Sequence, residues 1–467
     1  MTLSAENNAV EENHLVVFIH GLWGNPGHLQ YFVDRFVEKH GKNTEVLNVK
    51  CNTSSYTYDG VDVCGDRIVE EIYENLDSFR KAHTNSDGIV NKKITKISFI
   101  GYSLGGLMAR YVVGILYKRG LFNDITPMSL TTFATPHLGI RRDDDRYFAK
   151  IFNWVSSSIL SRSGEQLQYV DNFEGENEPL LLTLTRPDKI FYKALTKFKS
   201  LQLFANVIND SSVPYWTSAI LEVDPFEKID DLILYPNKKC QDIIDRIAIS
   251  KSVGCGSSKT DDSSTSSDSV HATTRNSFSK RLPRYMLISA VAPILPVGAL
   301  FILGAIATQG RSSRKRVAMI QEKNDDKLKD LNAVDGELVN NGGEGEKKNE
   351  ENIITQEFSS LEEEIVEGVM ILTNHVSPPQ PRNTSNSSQN DSETICLSNF
   401  VTSSEFPKIS MSQHQYQSSQ NLNTLEWKKY SVMTDSVHPH ASIVCRNRMH
   451  QGGKDLIRYF VEELFEA

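Results

Sequence analysis

The chain has 467 residues and a formal net charge of -9; it is longer than one ordinary domain needs, and its acidic balance argues against nucleic acid as a partner. Its 6 cysteines, Cys51, Cys64, Cys240, Cys255, Cys396 and Cys445, include no C-x-x-C pair, which fits free thiols in a reducing compartment better than a disulfide framework or a zinc site. Composition is uneven: 1–240 and 425–467 read as globular, whereas 250–284 and 309–424 are rich in Ser, Asn, Gln, Asp, Glu and Lys, so one folded unit with a long insertion is expected.

Met1 to Asn13 is polar and lacks a basic n-region and an apolar h-region, so no signal peptide and no secretion are expected, and the sequons at Asn52 and near Asn383 should stay unmodified. His14-Leu-Val-Val-Phe-Ile-His20 is an unbroken apolar run, the pattern of a strand buried on both faces of a parallel sheet. His20-Gly21-Leu22-Trp23-Gly24 follows, with Leu22 as a candidate amide donor and His20 as a residue that shapes the loop. A helix is predicted over Gly27 to Glu38, a strand over Thr44 to Lys50, and a long helix from about Val63 to Ala82. Asp59 and Asp62 before it are expected to form a turn and a helix cap in preference to a metal pair.

Ile94 to Ile100 reads as a strand that runs into Gly101-Tyr102-Ser103-Leu104-Gly105, with a helix over Leu107 to Tyr117. This is G-x-S-x-G between strand and helix, the context that gives the motif chemical meaning. Gly101 and Gly105 let strand and helix approach closely. Ser103 then stands exposed on a strained turn as the candidate nucleophile, and the Leu104 amide at the helix N-terminus faces a developing oxyanion.

Such a serine takes its acid and its base later in the chain, in that order. Leu201 to Asp210 is a strand ending in an acid, which makes Asp210 the first candidate and Asp224 the reserve. Leu425 to Val432 alternates like a last strand, and the loop beyond it holds His438 and His440. His440 is preferred because it leads into apolar Ala441-Ser442-Ile443-Val444, whereas Pro439 restricts His438 to extended backbone. His137, after the predicted strand Ser129 to Ala134, is a further reserve. In this arrangement His440 takes the serine proton and Asp210 fixes the imidazole, with no metal or other cofactor required. Residues 146–200 read as lid or cap helices, or equally as packed helices, and Gly453 to Phe465 as a closing helix.

Tyr285 to Thr308 carries no charge, yet Pro293, Pro296 and Gly298 interrupt it. Basic residues flank both ends: Lys280, Arg281 and Arg284 before, Arg311, Arg314, Lys315 and Arg316 after. A hairpin dipping into one leaflet suits both features; a single span and a buried core segment stay open. The fold class expected is α/β, a mostly parallel central sheet flanked by helices, with a long, largely disordered insertion bearing an apolar membrane segment. The divisions expected are a core over 1–245, a Ser-rich linker over 246–284, the apolar segment 285–308, a polar insertion over 309–424 containing an amphipathic helix at Glu357 to Leu372, and 425–467 completing the core.

Residues 14–24, Asp59-Gly60-Val61-Asp62, Gly101 to Leu107, Ala134-Thr-Pro-His-Leu-Gly139 and His440-Ala441 together resemble the fungal serine esterase family of the lipase class. The resemblance implies an α/β-hydrolase that cleaves acyl esters of glycerophospholipids without a cofactor, at a lipid-droplet surface or on the cytosolic face of a membrane such as the endoplasmic reticulum. Phospholipid or acylglycerol is then the substrate. The other functions compatible with the residues are a neutral-lipid lipase, an acyl thioesterase, and a membrane-anchored adaptor whose hydrolase fold is inert.

Overall fold

The computed structural model describes residues 10–86, 88–141, 161–173, 175–208, 210, 212–249, 308–320, 322, 406 and 408–466, with 394–396 described as backbone. The linker 250–284, all of the apolar stretch except Thr308, the region around Glu357 to Leu372, and 146–160 of the suspected lid lie outside the described residues.

The described residues form the strands β1 (Glu11–Ile19), β2 (Thr44–Asn48), β3 (Lys92–Tyr102), β4 (Thr126–Phe133), β5 (Ser200–Asn206), β6 (Leu232–Pro236), β7 (Ile243–Ile249), β8 (Thr394–Cys396) and β9 (Trp427–Val432), of which β6, β7 and β8 were not expected from the sequence. They join one sheet in the order β2-β1-β3-β4-β5-β9-β7-β6, with β8 also pairing β7. From β2 to β9 every neighbouring pair is parallel. Strands β6, β7 and β8 form an antiparallel edge.

Side chains alternate between faces along β1. Leu15, Val17 and Ile19 enter a core shared with helices α2 (Val61–Ala82) and α3 (Leu104–Lys118). Val16 and Phe18 enter a second core with α1 (Gln30–His40) and the C-terminal helix Lys454–Tyr459. Strand order at the centre is pinned by aromatic stacking. Phe133, Phe204 and Tyr430 occupy matched register positions on β4, β5 and β9, with ring centroids 4.5 Å apart at both steps. Phe460 meets Phe133 and Phe204 edge-on at 5.5 and 5.7 Å. Cross-strand aromatic pairs of this kind add to sheet stability and favour a single register.

Several boundaries differ from expectation. The core extends past 245 to Ile249, because β7 pairs with β9 and β6. Within the stretch assigned to the polar insertion, 309–320, continuing a helix that begins at Thr308, and Gln413–Leu422 are helical. The second helix starts with a capping box between Ser412 and Gln415 and buries Gln415, Ser418 and Ser419. Gln415 Nε2 donates to the carbonyls of Leu138 and Arg141, at 3.0 Å each, so a polar side chain is satisfied inside. The closing helix ends at Tyr459 and continues as a π-turn over Phe460–Leu464. Helices Leu180–Thr183 and Ile190–Leu195 pack as core, with Leu180 and Leu181 fully buried, so this part of the suspected lid is an interior layer.

Asp59 and Asp62 do not cap the helix; Gly60 is the residue at that position. Asp59 pairs with Arg67 and Arg316, and Asp62 with Arg162 and Gln166. Arg314 lies 3.6 Å from Glu165. Of the four basic residues after the apolar stretch, Arg316 thus reaches a buried partner, whereas Arg314 pairs at the surface. No helix among the described residues is long and apolar enough to cross a membrane. Cys51, Cys64, Cys240 and Cys445 are free thiols.

Candidate active site

Ser103 sits between β3 and α3 at φ 54° and ψ -126°, a conformation sparsely allowed for a residue with a side chain and typical of strain held at a working site. The neighbours permit it only as glycines. A Cβ on Gly105 would lie 2.2 Å from the Ile19 carbonyl oxygen, and one on Gly101 2.5 Å from the Gly106 Cα. Main-chain bonds lock the turn: Ser103 N donates to Phe133 O at 2.9 Å, and Thr135 Oγ1 donates to Ser103 O at 2.9 Å.

The order serine, acid, histidine closes in space. His440 Nε2 lies 3.0 Å from Ser103 Oγ, and His440 Nδ1 lies 2.9 Å from Asp210 Oδ2. Asp210 comes from the loop after β5 and is tied down by three donors: Asn206 Nδ2 at 2.8 Å, Ser212 N at 3.1 Å and Val213 N at 2.8 Å. His440 lies in a short helix, Pro439–Ser442, beyond β9. Its carbonyl accepts from Tyr102 Oη at 3.0 Å, and the Tyr102 ring tilts against the imidazole at 5.2 Å. Both side chains of the acid–base pair are almost fully covered, at 2% for Asp210 and 9% for His440. The oriented imidazole is therefore set to accept the serine proton while Nδ1–H is held by the carboxylate.

The loop His20 to Gly24 passes directly over the serine: a Cβ on Gly21 would lie 2.7 Å from Ser103 Cβ. Leu22 is carried by this loop. Leu104 opens α3, where the first amides have no partner within the helix. His20 is buried, donates through Nδ1 to Gly21 O at 3.1 Å, and is pushed down to about 4 by burial, with the Gly21 bond opposing. It is uncharged at neutral pH and packs inside its own loop, since a Cβ on Gly24 would lie 2.6 Å from its Nδ1.

The reserve candidates sit elsewhere. His137 is fully buried, with Nε2 hydrogen-bonded to Thr132 Oγ1 at 2.9 Å, its carbonyl accepting from Arg110 Nη1 at 3.2 Å, and its ring 5.3 Å from that of Trp427. Burial, then the charges of Arg110 and Lys429, hold it well below the ordinary histidine range. His438 packs its ring on His450 at 5.2 Å and has its amide bonded to Ser436. Asp224 Oδ1 accepts from Phe226 N at 2.9 Å in a local turn, with burial raising its carboxyl to about 6. Sequence reasoning missed Tyr102, Thr135 and Asn206 as supports. Tyr102 is the variable residue of the elbow itself and Asn206 ends the strand before the acid, so position was the only available signal. Among the described residues no group of His, Cys, Asp and Glu is placed to hold a metal ion.

This elbow on a mostly parallel sheet, with acid and histidine after later strands, has the arrangement of an α/β-hydrolase site with a serine at the nucleophile position. Residues 9–220 match the family model described as "Putative serine esterase (DUF676)". The chain is similar to this family over that stretch, which is somewhat under half of its length. It is 30% identical over 228 residues to "Putative lipase C4A8.10" of Schizosaccharomyces pombe, covering 47% of this chain and 28% of that protein. It is 29% identical over 232 residues to "Putative lipase ROG1" of Saccharomyces cerevisiae, covering 48% of this chain and 30% of that protein. The chain thus spans about three-tenths of the length of these relatives. A solved carboxyl esterase 2 from Tuber melanosporum shares 13% identity, with 42% of this chain and 60% of that one covered at a TM-score of 0.26.

Proposed function

We propose that the protein is a serine-dependent lipid acyl-ester hydrolase, a phospholipase acting on glycerophospholipids at a lipid-droplet or membrane surface. The observation that carries the reading is the relay from Ser103 Oγ to His440 Nε2 at 3.0 Å and from His440 Nδ1 to Asp210 at 2.9 Å. In it, Ser103 attacks the ester carbonyl as His440 takes its proton, and the amides of Leu22 and Leu104 receive the oxyanion. The tetrahedral intermediate collapses, His440 returns the proton to the departing alcohol, and an acyl group remains on Ser103. Water, deprotonated by His440, then releases the fatty acid.

Lipid as substrate is supported by the naming of the relatives as lipases and by the uncharged stretch 285–308, whose flanking Arg311 and Lys315 are exposed. The decisive experiment is acyl release by the purified full chain from phosphatidylcholine vesicles, triacylglycerol emulsions and acyl-CoA, beside Ser103→Ala, with a fluorophosphonate probe to label the nucleophile. Vesicle hydrolysis that disappears in the variant is expected. Hydrolysis of emulsions alone makes the protein a neutral-lipid lipase, and of acyl-CoA alone a thioesterase. Absence of both turnover and Ser103 labelling overturns the enzyme reading in favour of an inert adaptor. Surface association is tested separately: deleting 285–308 should release the tagged protein from lipid droplets and membranes, and unchanged partitioning would contradict it.

A further inference from the structure

The turn Ser54–Asp59, which precedes α2, is held from two sides. On one side it carries the loop over Ser103. Trp23 N donates to Thr57 Oγ1 at 3.0 Å, Trp23 Nε1 donates to Tyr58 Oη, and Ser54 N donates to Gly24 O at 2.9 Å. Trp23 itself takes a positive φ of 54°, so this loop keeps its shape only while neighbours hold it. On the other side, helix 308–320 reaches in from a remote part of the chain. Arg316 Nη2 and Nε bind Asp59 Oδ1 and Oδ2 at 2.8 and 3.2 Å, and Nη2 also donates to Ser55 O at 3.0 Å. Tyr56 in the same turn has guanidinium groups of both Arg316 and Arg67 against its ring, at 4.7 and 5.2 Å.

Charge neutralisation alone does not account for Arg316. The buried Asp59 carboxylate already has a countercharge in Arg67 Nη2 at 2.6 Å. What Arg316 adds is geometry: a planar fork fixed to both carboxylate oxygens and to the turn's main chain. We infer that Arg316 is a positioning residue, which through the Ser54–Asp59 turn and Trp23 sets the Leu22 amide for oxyanion binding. The inference rests on the reading of Ser103 as nucleophile. It makes helix 308–320 part of the working enzyme although it lies far outside the region shared with the family model.

Preorganised donors act in the transition state more than in substrate binding, so the effect should fall on kcat. For Arg316→Gln, we expect kcat to drop by about tenfold with KM changed by less than about twofold, because a displaced donor costs less than a deleted one. Fluorophosphonate labelling of Ser103 should slow in parallel. Arg314→Gln, the same charge change on the same helix, should leave both rates unaltered. Arg316→Lys keeps a cation but loses the fork and should fall between wild type and Arg316→Gln; it also serves as the test if Arg316→Gln does not fold. Tyr58→Phe removes the acceptor of the Trp23 indole. Combined with Arg316→Gln or Arg316→Lys, it should lower kcat little beyond the worse single variant, since both act through one turn. Multiplying losses in the double variant, a change confined to KM, or wild-type rates in both Arg316 variants each overturn the inference. A wild-type chain that is not labelled at Ser103 overturns the serine-hydrolase reading and this inference together; labelled wild type with indifferent Arg316 variants overturns the inference alone.

Discussion

Two loops leave the carboxyl ends of parallel strands carrying a histidine, one after β4 with His137 and one after β9 with His440. In the first, the ring turns back into the core, bonded to Thr132 of its own strand and packed on Trp427. In the second, the backbone is anchored through the His440 carbonyl by Tyr102, which leaves both ring nitrogens for Ser103 and Asp210. Proximity to the end of the sheet is common to both. The difference lies in what the ring nitrogens are bonded to: Thr132 of the adjoining strand for His137, and Ser103 and Asp210, both remote in sequence, for His440.

The sharpest test of that contrast is substitution of each ring. His440→Ala should lower kcat by about 10⁴- to 10⁶-fold, as expected when the base of a triad is removed. His137→Ala should leave kcat within a few-fold and instead cost about 2–4 kcal/mol of stability through the cavity and the unpaired Thr132 hydroxyl. Vesicle hydrolysis and urea unfolding of the two variants read this directly; a large kcat loss in His137→Ala would erase the contrast. Asp210→Asn comes next, with a loss of about 10⁴-fold in kcat and little change in the melting temperature, because it acts through the imidazole tautomer.

Acid should reveal the buried class by stability. His14 and His20 are both held down to about 4, chiefly by burial. They are neutral in the folded chain but take up protons near their ordinary value when unfolded. Their contribution is therefore complete above about pH 6.5 and is lost as pH falls towards 4, on the order of 3 kcal/mol each. Urea midpoints measured from pH 7 to 4.5 should drop accordingly, and a flat profile would contradict their neutral burial. The smallest effect is expected from His438→Ala, within about 1 kcal/mol in either stability or transition-state energy, since its ring meets His450 and not the serine.

The parallel strands and the elbow were legible because their signals are local. An unbroken apolar run such as Leu15 to Ile19 reports burial on two faces, and the glycines around Ser103 report a close approach whatever lies beyond. The preference for His440 over His438 came from its apolar neighbours, and Ala441, Ile443 and Val444 are indeed buried. Composition misled where polar residues found partners inside. Gln415, Ser418 and Ser419 look like solvent-exposed residues until the carbonyls of Leu138 and Arg141 and the Tyr169 hydroxyl are supplied. Asp59 does lie in a turn, but the helix cap expected of this pair was misplaced for the same reason: Arg316 and Arg162 are distant in the chain, and a cap was the nearest local explanation. The hairpin of β6 and β7 escaped notice because β6 is a short, half-exposed edge strand and Asp245 and Arg246 interrupt the apolar pattern of the interior strand β7.

If the apolar run binds a surface as proposed, the docked helix 308–320 becomes its mooring post. Gly298 is ten residues before Thr308, and a chain cannot stretch beyond about 36 Å over that length. Any surface that takes up the second half of the apolar run therefore lies within a fixed working radius of this helix, about the width of one domain. Substrate drawn from the same surface would be presented to the serine at a local concentration set by leash length and independent of dilution in the surrounding water.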